Sequence, residues 1–213
     1  IYLQSDGSGR PKTVKRHTLN QDPVLDFTVF HEPDAKRYMY LDKLSSSRFI
    51  ALDSGTREFD EWYVIDANNP LEAPRKIQPA DPEHQYHVIG HCDDYFYIIT
   101  NHDGAFDRKL VRAPVDNPSI EYWEDVYPEV PDTNLENALV FQDYLVIVPR
   151  HEGVLKPLVI NLKTGNKTPM EFSEPVYSIY INKRVNPTFD TKLLRCSYSS
   201  MVTPGIMFDF NMD

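Results

Sequence analysis

The sequence has few cysteines, few glycines and no long apolar run. Among 213 residues there are two cysteines and eight glycines. Cys92 and Cys196 lie 104 positions apart, which provides neither a disulfide framework nor the spacing of a metal site. We therefore expect two free thiols in a reducing compartment. No stretch approaches the ~20 apolar residues that a membrane-spanning helix needs, so we expect no membrane partner.

The motifs of common catalytic and cofactor sites are also missing. The sequence contains no G-x-S-x-G nucleophile elbow, no glycine-rich phosphate loop, no H-E-x-x-H and no C-x-x-C. Ser199 and Ser200 have no base nearby in the sequence, so we interpret them as structural hydroxyls. We predict that this chain carries no catalytic, cofactor-binding or metal-binding residue and needs no cofactor.

Basic residues are outnumbered by acidic ones. The chain has 22 Lys and Arg against 32 Asp and Glu, which gives a net charge of −10. A surface of this sign repels nucleic acid and anionic lipid and attracts cationic ligands. Because the acidic residues are scattered, we favour a solvated surface that maintains solubility, with the steering of a basic ligand as the alternative. A nucleic-acid partner is not expected.

The residues that are abundant favour short strands. The chain has 17 prolines, 13 tyrosines and 11 phenylalanines. Aromatic residues prefer strands, and proline interrupts regular structure at loops. We therefore expect many short strands joined by proline-containing loops, and no helix of three turns.

Four glycines recur at a nearly fixed period. Gly7, Gly55, Gly104 and Gly153 are separated by 48, 49 and 49 residues, each between stretches rich in aromatic and β-branched residues. Glycine is favoured where a strand-to-strand turn requires positive φ, so one hairpin per period indicates a repeated four-stranded unit. The fold predicted from this repeat is an all-β structure made of β-propeller blades.

Three complete units and parts of two others fit this repeat. The complete units place innermost strands at 37–43, 86–92 and 135–141, second strands at 48–53, 95–101 and 144–149, third strands at 61–65, 109–113 and 155–162, and outermost strands at 74–78, 122–126 and 167–172. The incomplete units supply strands at 1–4, 12–19 and 27–32 before them, and at 176–183, 192–199 and 206–211 after them.

An open arc of blades leaves two blade faces uncovered. Propellers close by pairing the last blade with the first, so the end faces of residues 1–213 would remain apolar and exposed. We interpret the chain as a partial propeller domain excised from a longer protein. We expect it to fold stably inside a complete ring, or by self-association of the open blade faces.

One histidine cluster and one tyrosine-rich strand could be mistaken for binding sites. His84, His87 and His91 lie close in sequence, but on a strand the last two would stand roughly 13 Å apart, too far to share one metal ion. The stretch 94–97 contains two tyrosines beside an apolar run, which is more typical of a buried strand than of a stacking surface. We expect packed side chains at both places.

Several segments resemble one family of peptidases. The clearest are Glu174-Pro-Val-Tyr-Ser178, Asn186-Pro-Thr-Phe-Asp-Thr-Lys-Leu-Leu-Arg195 and Tyr198-Ser-Ser-Met-Val-Thr-Pro204. Further matches are Val29-Phe-His-Glu-Pro-Asp34, Tyr63-Val-Ile-Asp66, Phe96-Tyr-Ile-Ile-Thr-Asn101, Leu110-Val-Arg-Ala-Pro114 and Trp123-Glu124. From about Lys12 to Asp213 the sequence resembles the propeller of oligopeptidase B, or protease II, in the prolyl oligopeptidase family of serine peptidases.

This resemblance implies a function for a larger parent protein. It implies a cytoplasmic two-domain enzyme in which a seven-bladed propeller covers an α/β-hydrolase domain and admits only short peptides, cleaved after Arg or Lys. The partners implied are the hydrolase domain of the same parent chain and short basic peptides. The triad of that family lies in the hydrolase domain, so the chain itself is expected to be inactive. Asp42 and Glu136, on predicted innermost strands, are candidates for carboxylates that face the channel.

Three other functions fit parts of the sequence. A free-standing propeller could serve as a scaffold for another protein. A proline-specific oligopeptidase has a related motif, matched here by 200–205, although the Asn-Pro and Arg-Ala-Pro turns favour the enzyme that cleaves after basic residues. A glycan-active propeller needs clustered arginines and carboxylates on inner strands, whereas Arg37, Arg48 and Arg195 are far apart in the sequence.

Overall fold

The computed structural model describes residues 1–79, 81 and 83–213, and within them all regular structure apart from short 3₁₀ turns is β-strand. In these residues the strands form five antiparallel sheets, each built from strands that follow one another along the chain. These sheets are the five repeat units predicted from the sequence, and we name them blades 1 to 5. No helix in the described part of the chain is long and apolar enough to cross a membrane.

The bounds of the strands and turns follow the chain order. Blade 1 contains β1 to β3, at Tyr2–Ser5, Pro11–Arg16 and Phe27–His31. Blade 2 contains β4 to β7, at Tyr38–Lys43, Phe49–Gly55, Asp60–Asp66 and Arg75–Gln78. Blade 3 contains β8 to β11, at Tyr86–Cys92, Tyr95–Thr100, Lys109–Pro114 and Glu124–Tyr127. Blade 4 contains β12 to β16, at Thr133–Val140, Tyr144–His151, Val154–Leu155, Leu158–Asn161 and Lys167–Pro169. Blade 5 contains β17 to β19, at Tyr177–Tyr180, Leu193–Ser200 and Ile206–Asn211. The 3₁₀ turns are Pro23–Leu25, His102–Gly104, Ile120–Tyr122 and Lys183–Val185.

The predicted architecture of three complete blades between two incomplete ones is confirmed. Four strand predictions were wrong in extent. Those at 12–19 and 167–172 run three residues past the ends of β2 and β16. The third strand of blade 4, predicted at 155–162, is divided into β14 and β15 because Pro157 between them has no N–H to donate to a ladder. The first strand of blade 5, predicted at 176–183, ends at Tyr180 because the Asn182 side chain accepts a hydrogen bond from the Val185 N–H and begins a 3₁₀ turn.

The four periodic glycines all lie near the hairpin between the second and third strands of a blade, but the reason given for them holds for only two. Gly104 and Gly153 have φ of +74° and +79°. Gly7 and Gly55 do not adopt positive φ, and in the first hairpin the residue that does is Gly9. Gly55 is required for space instead, since a Cβ there would lie 2.9 Å from the Phe59 carbonyl oxygen.

The core consists of apolar layers between adjacent blades. Phe49, Trp62 and Val64 of blade 2 pack against Phe96 and Ile98 of blade 3. Similar layers join blade 3 to blade 4 and blade 4 to blade 5. Both faces of the middle blades are therefore buried, which explains the nearly continuous apolar runs of their second strands.

The layer between blades 3 and 4 requires glycine at one position. Gly90 lies at an irregular point of β8, where the register with β9 shifts between Val88 and Gly90. A Cβ at Gly90 would lie 2.5 Å from Val140 Cγ2 and 2.6 Å from Val140 Cβ. The second of these atoms is fixed to the β12 backbone, so a residue with a Cβ at position 90 would fit only if the two blades moved apart.

We expect Gly90→Ala to lower the free energy of unfolding by about 1–3 kcal/mol, because it overpacks the layer between blades 3 and 4. The measurement is urea unfolding of the full-length protein. Gly7→Ala is the matched control, since nothing lies within 4 Å of a Cβ at Gly7 and its φ is not positive. Equal stability of the two variants would contradict the close approach of Gly90 and Val140.

Apolar side chains remain exposed on both end blades. Phe27 in blade 1 is 59% exposed, and Met207 in blade 5 is 63% exposed. Both end blades therefore expose apolar side chains. That the open end faces carry them, and that copies of the chain associate through these faces, stay predictions.

Candidate functional site

The innermost strands of blades 2, 3 and 4 surround a cavity of about 630 Å³. Its wall consists of side chains from β4, β8 and β12, with contributions from β5 and β6 of blade 2. The 3₁₀ turn that follows β17 brings Lys183 and Arg184 to the same cavity from blade 5. The cavity is thus lined by residues of four blades.

Three neighbouring residues of blade 2 form one side of this cavity. In the sheet register, Asp53 of β5 is directly opposite Tyr40 of β4 and directly opposite Trp62 of β6. Side chains in such a row point to the same face of a sheet. We call Tyr40, Asp53 and Trp62 the carboxylate row, and all three line the cavity.

Two buried polar side-chain atoms of the carboxylate row have no hydrogen-bond partner in the described residues. Asp53 Oδ1 and Trp62 Nε1 are both shielded from solvent and unpaired. Burial and, after it, the nearby charge of Asp60 raise the pKa of Asp53 to about 7, while Arg37 acts in the opposite direction. An unpaired buried carboxylate is costly, so Asp53 holds a proton more readily than an ordinary aspartate.

Basic side chains line the cavity from the side of blade 5. The Lys183 amino group contacts the Asp42 carboxylate at 2.5 Å and also donates to the Lys43 carbonyl oxygen. This ion pair joins blade 5 to blade 2 through two residues that are 141 positions apart in the sequence. Arg184 is exposed next to it and also lines the cavity. The cavity therefore has an acidic side and a basic side.

The two predicted channel carboxylates both line cavities on the inner side of the arc. Asp42 lines the large cavity, where Lys183 binds it. Glu136 lines an adjoining cavity of about 260 Å³ and pairs with Arg150. Asp60 lines the smaller cavity as well, and burial raises its pKa. Asp53, which has no such pairing, was missed in the sequence.

The clustered histidines have separate partners, and nothing joins them at one ion. His84 Nδ1 lies 2.8 Å from Asp81, and its ring packs on His102. The His87 ring lies 4.6 Å from that of Trp62, and His91 Nδ1 bonds the Ser46 hydroxyl at 2.9 Å. In residues 1–79, 81 and 83–213 no group of three or more His, Cys, Asp or Glu side chains could hold a metal ion.

His87 adds a neutral group to the wall of the large cavity. It keeps surface open to the cavity, yet the surrounding protein desolvates its ring and lowers its pKa, with Arg108 acting in the same direction. Its imidazole therefore stays uncharged at neutral pH.

Cys92 and Cys196 are both buried free thiols. Burial raises the pKa of each to about 12, so neither is a reactive thiolate.

The motif 198–204 and the segment that begins at Glu174 meet in blade 5. The Glu174 carboxylate accepts hydrogen bonds from the Thr203 hydroxyl, at 2.6 Å, and from the Tyr198 hydroxyl. These two bonds and one from Ser173 lower the pKa of Glu174 to about 2. The contacts tie the β18–β19 hairpin to the start of the blade, which fits the structural role predicted for this motif.

The comparison with protein families agrees with the repeat. The model of the N-terminal β-propeller domain of prolyl oligopeptidase matches residues 1–213. The chain belongs to the prolyl oligopeptidase family. The predicted family resemblance and the predicted β-propeller fold are therefore both confirmed.

The proteins to which this chain is similar include peptidases that are named for different activities. "Protease 2" of Moraxella lacunata is 27% identical over 100% of this chain and 30% of its own length. "Dipeptidyl aminopeptidase BI" of Pseudoxanthomonas mexicana is 30% identical over 94% of this chain and 27% of its own length. The structure of oligopeptidase B from Leishmania major superposes with a TM-score of 0.89 at 22% identity, over 99% of this chain and 30% of that one. The chain thus spans less than a third of the length of each of these relatives.

Sequence reasoning missed the carboxylate row, although one signal for it was present. Asp53 ends the run Phe49-Ile-Ala-Leu-Asp53, where four apolar residues precede a carboxylate. Carboxylates are rarely shielded on an otherwise apolar strand unless they are paired, which distinguishes Asp53 from its neighbours.

Proposed function

We propose that this chain is the substrate-gating propeller of a serine peptidase that hydrolyses short peptides after Arg or Lys. In this proposal the nucleophile, base and oxyanion hole belong to an α/β-hydrolase domain of the same polypeptide, and residues 1–213 supply no catalytic group. The propeller excludes folded proteins, so the enzyme acts only on short chains. The proposed location of the enzyme is the cytoplasm.

The observation that carries the proposal is the family match over residues 1–213. It supports the peptidase class, and the relative named Protease 2, aligned over the whole chain, supports it further. The preference for basic residues has separate support. The net charge of −10 favours the approach of cationic substrates, and the carboxylates of Asp53 and Asp60 line the inner cavities, where those of Asp42 and Glu136 are already paired with Lys183 and Arg150.

One relative favours a second candidate function. The protein named Dipeptidyl aminopeptidase BI is 30% identical to this chain. A dipeptidyl aminopeptidase removes two residues from a free amino terminus, whereas an oligopeptidase also cleaves inside a peptide whose amino terminus is blocked. The two activities therefore differ in their response to acetylation of the substrate. A proline-specific peptidase remains a further alternative and differs in the residue before the cleaved bond.

The test is an assay of the full-length protein on matched peptides of about eight residues. The residue before the cleaved bond is Arg, Lys, Pro or Ala, and each peptide is supplied with a free and an acetylated amino terminus. We expect cleavage after Arg and Lys in both forms, and none after Pro or Ala. Residues 1–213 alone should show no turnover.

Other outcomes would assign the protein differently. Cleavage confined to free amino termini would favour the dipeptidyl aminopeptidase, and cleavage after Pro would favour the proline-specific enzyme. Absence of hydrolysis of every peptide by a folded full-length protein would overturn the peptidase proposal and favour a scaffold. A size series of substrates tests gating, since a 10-residue peptide should be cleaved and a folded protein carrying the same sequence should not.

A further inference from the structure

The carboxylate row has the composition of a cation-binding site. It places a carboxylate between two aromatic rings, because Asp53 lies opposite both Tyr40 and Trp62 in the sheet register. A guanidinium or ammonium group is attracted by a carboxylate and also by the faces of Tyr and Trp rings. The row lines a cavity of about 630 Å³, which has room for a long basic side chain.

Two buried atoms in this row lack partners, and their chemistry is complementary to a peptide. Asp53 Oδ1 is an acceptor without a donor, and Trp62 Nε1 is a donor without an acceptor. Trp62 is only 5% exposed, so its N–H has no compensating contact with bulk water. Buried polar groups in proteins are nearly always hydrogen-bonded, so this unpaired couple points to a ligand that carries both a cation and a carbonyl oxygen.

Asp53 is partly exposed and lines the cavity, so a ligand can approach it without the core opening. Tyr40, which lies beside Asp53 on the cavity side, is 68% exposed. An exposed aromatic side chain changes rotamer rapidly and without loss of core contacts. Rotation of Tyr40 can therefore place its ring over a cation bound at Asp53.

We propose that the carboxylate row is a noncatalytic binding site for a basic residue of a peptide inside the propeller, where Asp53 binds the side-chain cation and Trp62 Nε1 donates to a backbone carbonyl oxygen. The choice of a basic peptide rests on the proposed function, but binding at this row does not require hydrolysis. The site is distinct from Asp42, whose carboxylate is already bound by Lys183. It would retain basic peptides within the propeller and raise their local concentration.

Binding of a cation at Asp53 must be linked to a proton. Burial raises the pKa of Asp53 to about 7 when the row is empty, and a bound cation favours the ionised form. Affinity should therefore increase as the pH rises through 7. The other charged or titratable groups near Asp53 are Tyr38, Tyr40, Asp42, Arg57, Asp60, His87, Arg37, Lys183 and Arg184. A variant that removes only the Asp53 carboxyl separates its titration from theirs.

The test is calorimetric binding of two small probes to the full-length protein. Agmatine carries a guanidinium and no carbonyl, and argininamide carries both. We expect Asp53→Asn to weaken the binding of both probes at least tenfold, which is the usual effect of losing a charge-assisted hydrogen bond. Trp62→Phe should weaken argininamide about threefold to tenfold and agmatine less than twofold. Asp66→Asn is the matched control, because Asp66 ends the same β6, pairs with Arg48 and does not line the cavity.

The pH dependence is measured with agmatine, whose charge is constant between pH 6 and pH 8. We expect roughly tenfold tighter binding at pH 8 than at pH 6 in the wild-type protein, and a flat profile in Asp53→Asn. Agmatine binding to Asp53→Asn within twofold of wild type would overturn the proposal. If Trp62→Phe weakens the binding of both probes equally, or weakens the binding of neither, the assignment of the carbonyl contact is overturned.

These results are independent of the outcome of the peptidase assay. A protein that hydrolyses no peptide but loses agmatine binding in Asp53→Asn contradicts the proposed function and supports the binding site. A protein that cleaves after Arg, and whose Asp53→Asn variant binds agmatine as tightly as the wild type does, supports the proposed function and contradicts the binding site.

Discussion

Phe96→Ala is expected to lower the free energy of unfolding by about 3–5 kcal/mol, the range for removal of a large buried aromatic side chain. Phe96 is 0% exposed and lies at the centre of the layer between blades 2 and 3. Its ring centroid is 5.0 Å from that of Phe49 and 5.6 Å from that of His91. The neighbouring side chains are held on separate sheets, so they cannot move together to fill the space.

The matched control for this prediction lies in the same blade. Phe106 follows the 3₁₀ turn His102–Gly104 and is 93% exposed. Phe106→Ala should change the free energy of unfolding by no more than about 0.5 kcal/mol. Urea unfolding of both variants provides the comparison, and a loss of less than 1 kcal/mol in Phe96→Ala would contradict the structure of this layer.

Arg37→Met is expected to cost about 3 kcal/mol of stability, because it leaves buried carboxylates without their guanidinium. Arg37 Nη1 lies 2.9 Å from Glu61 Oε2 and 3.9 Å from Glu32 Oε2. Glu32 and Glu61 are only 5% and 9% exposed. Lys76 also binds Glu61, at 2.7 Å, so the loss is smaller than for an isolated buried pair. Arg112→Met provides the control, since Arg112 and Glu124 form an exposed ion pair that contributes about 0–1 kcal/mol.

The same network predicts a pH dependence. Burial acts to raise the pKa of Glu61, but hydrogen bonds from Lys76, Tyr63 and Arg37 outweigh it and lower the pKa below its ordinary value of 4.5. A lowered carboxyl pKa contributes stability above pH 4.5, and this contribution is lost as the pH falls through the lowered value. The stability difference between wild type and Arg37→Met should therefore narrow below pH 4.5. A difference that stays constant from pH 7 to pH 3 would contradict the role of ionised Glu61.

Much of the fold could be read from the sequence because each blade is formed by strands that are neighbours in the chain. The repeat of turns and the apolar second strands depend only on local spacing, so three complete blades and two partial ones were predicted correctly. The errors arose where a single residue changes the backbone. Pro157 divides a strand, and the Asn182 side chain ends another by beginning a 3₁₀ turn.

The candidate site was less accessible to sequence reasoning. Asp42 and Glu136 were named as candidates because innermost strands are expected to face the channel of a propeller. Both line cavities, and their position in a channel stays a prediction. Asp53 lies on a second strand, which the repeat predicts to be buried. Its significance depends on the register with β4 and β6, which places Tyr40 and Trp62 on either side of it.

The sequence by itself determined the all-β repeat, the blade order, the family resemblance and the excess of negative charge, because these follow from composition and from spacing along one chain. Tertiary structure alone decided which charges meet. It joined Lys183 to Asp42 across 141 residues and left Asp53 between two aromatic rings without a partner. The physical reason is that pairing between distant charges depends on the curvature of the stacked blades, which is set by the packing of apolar layers and not by any local pattern.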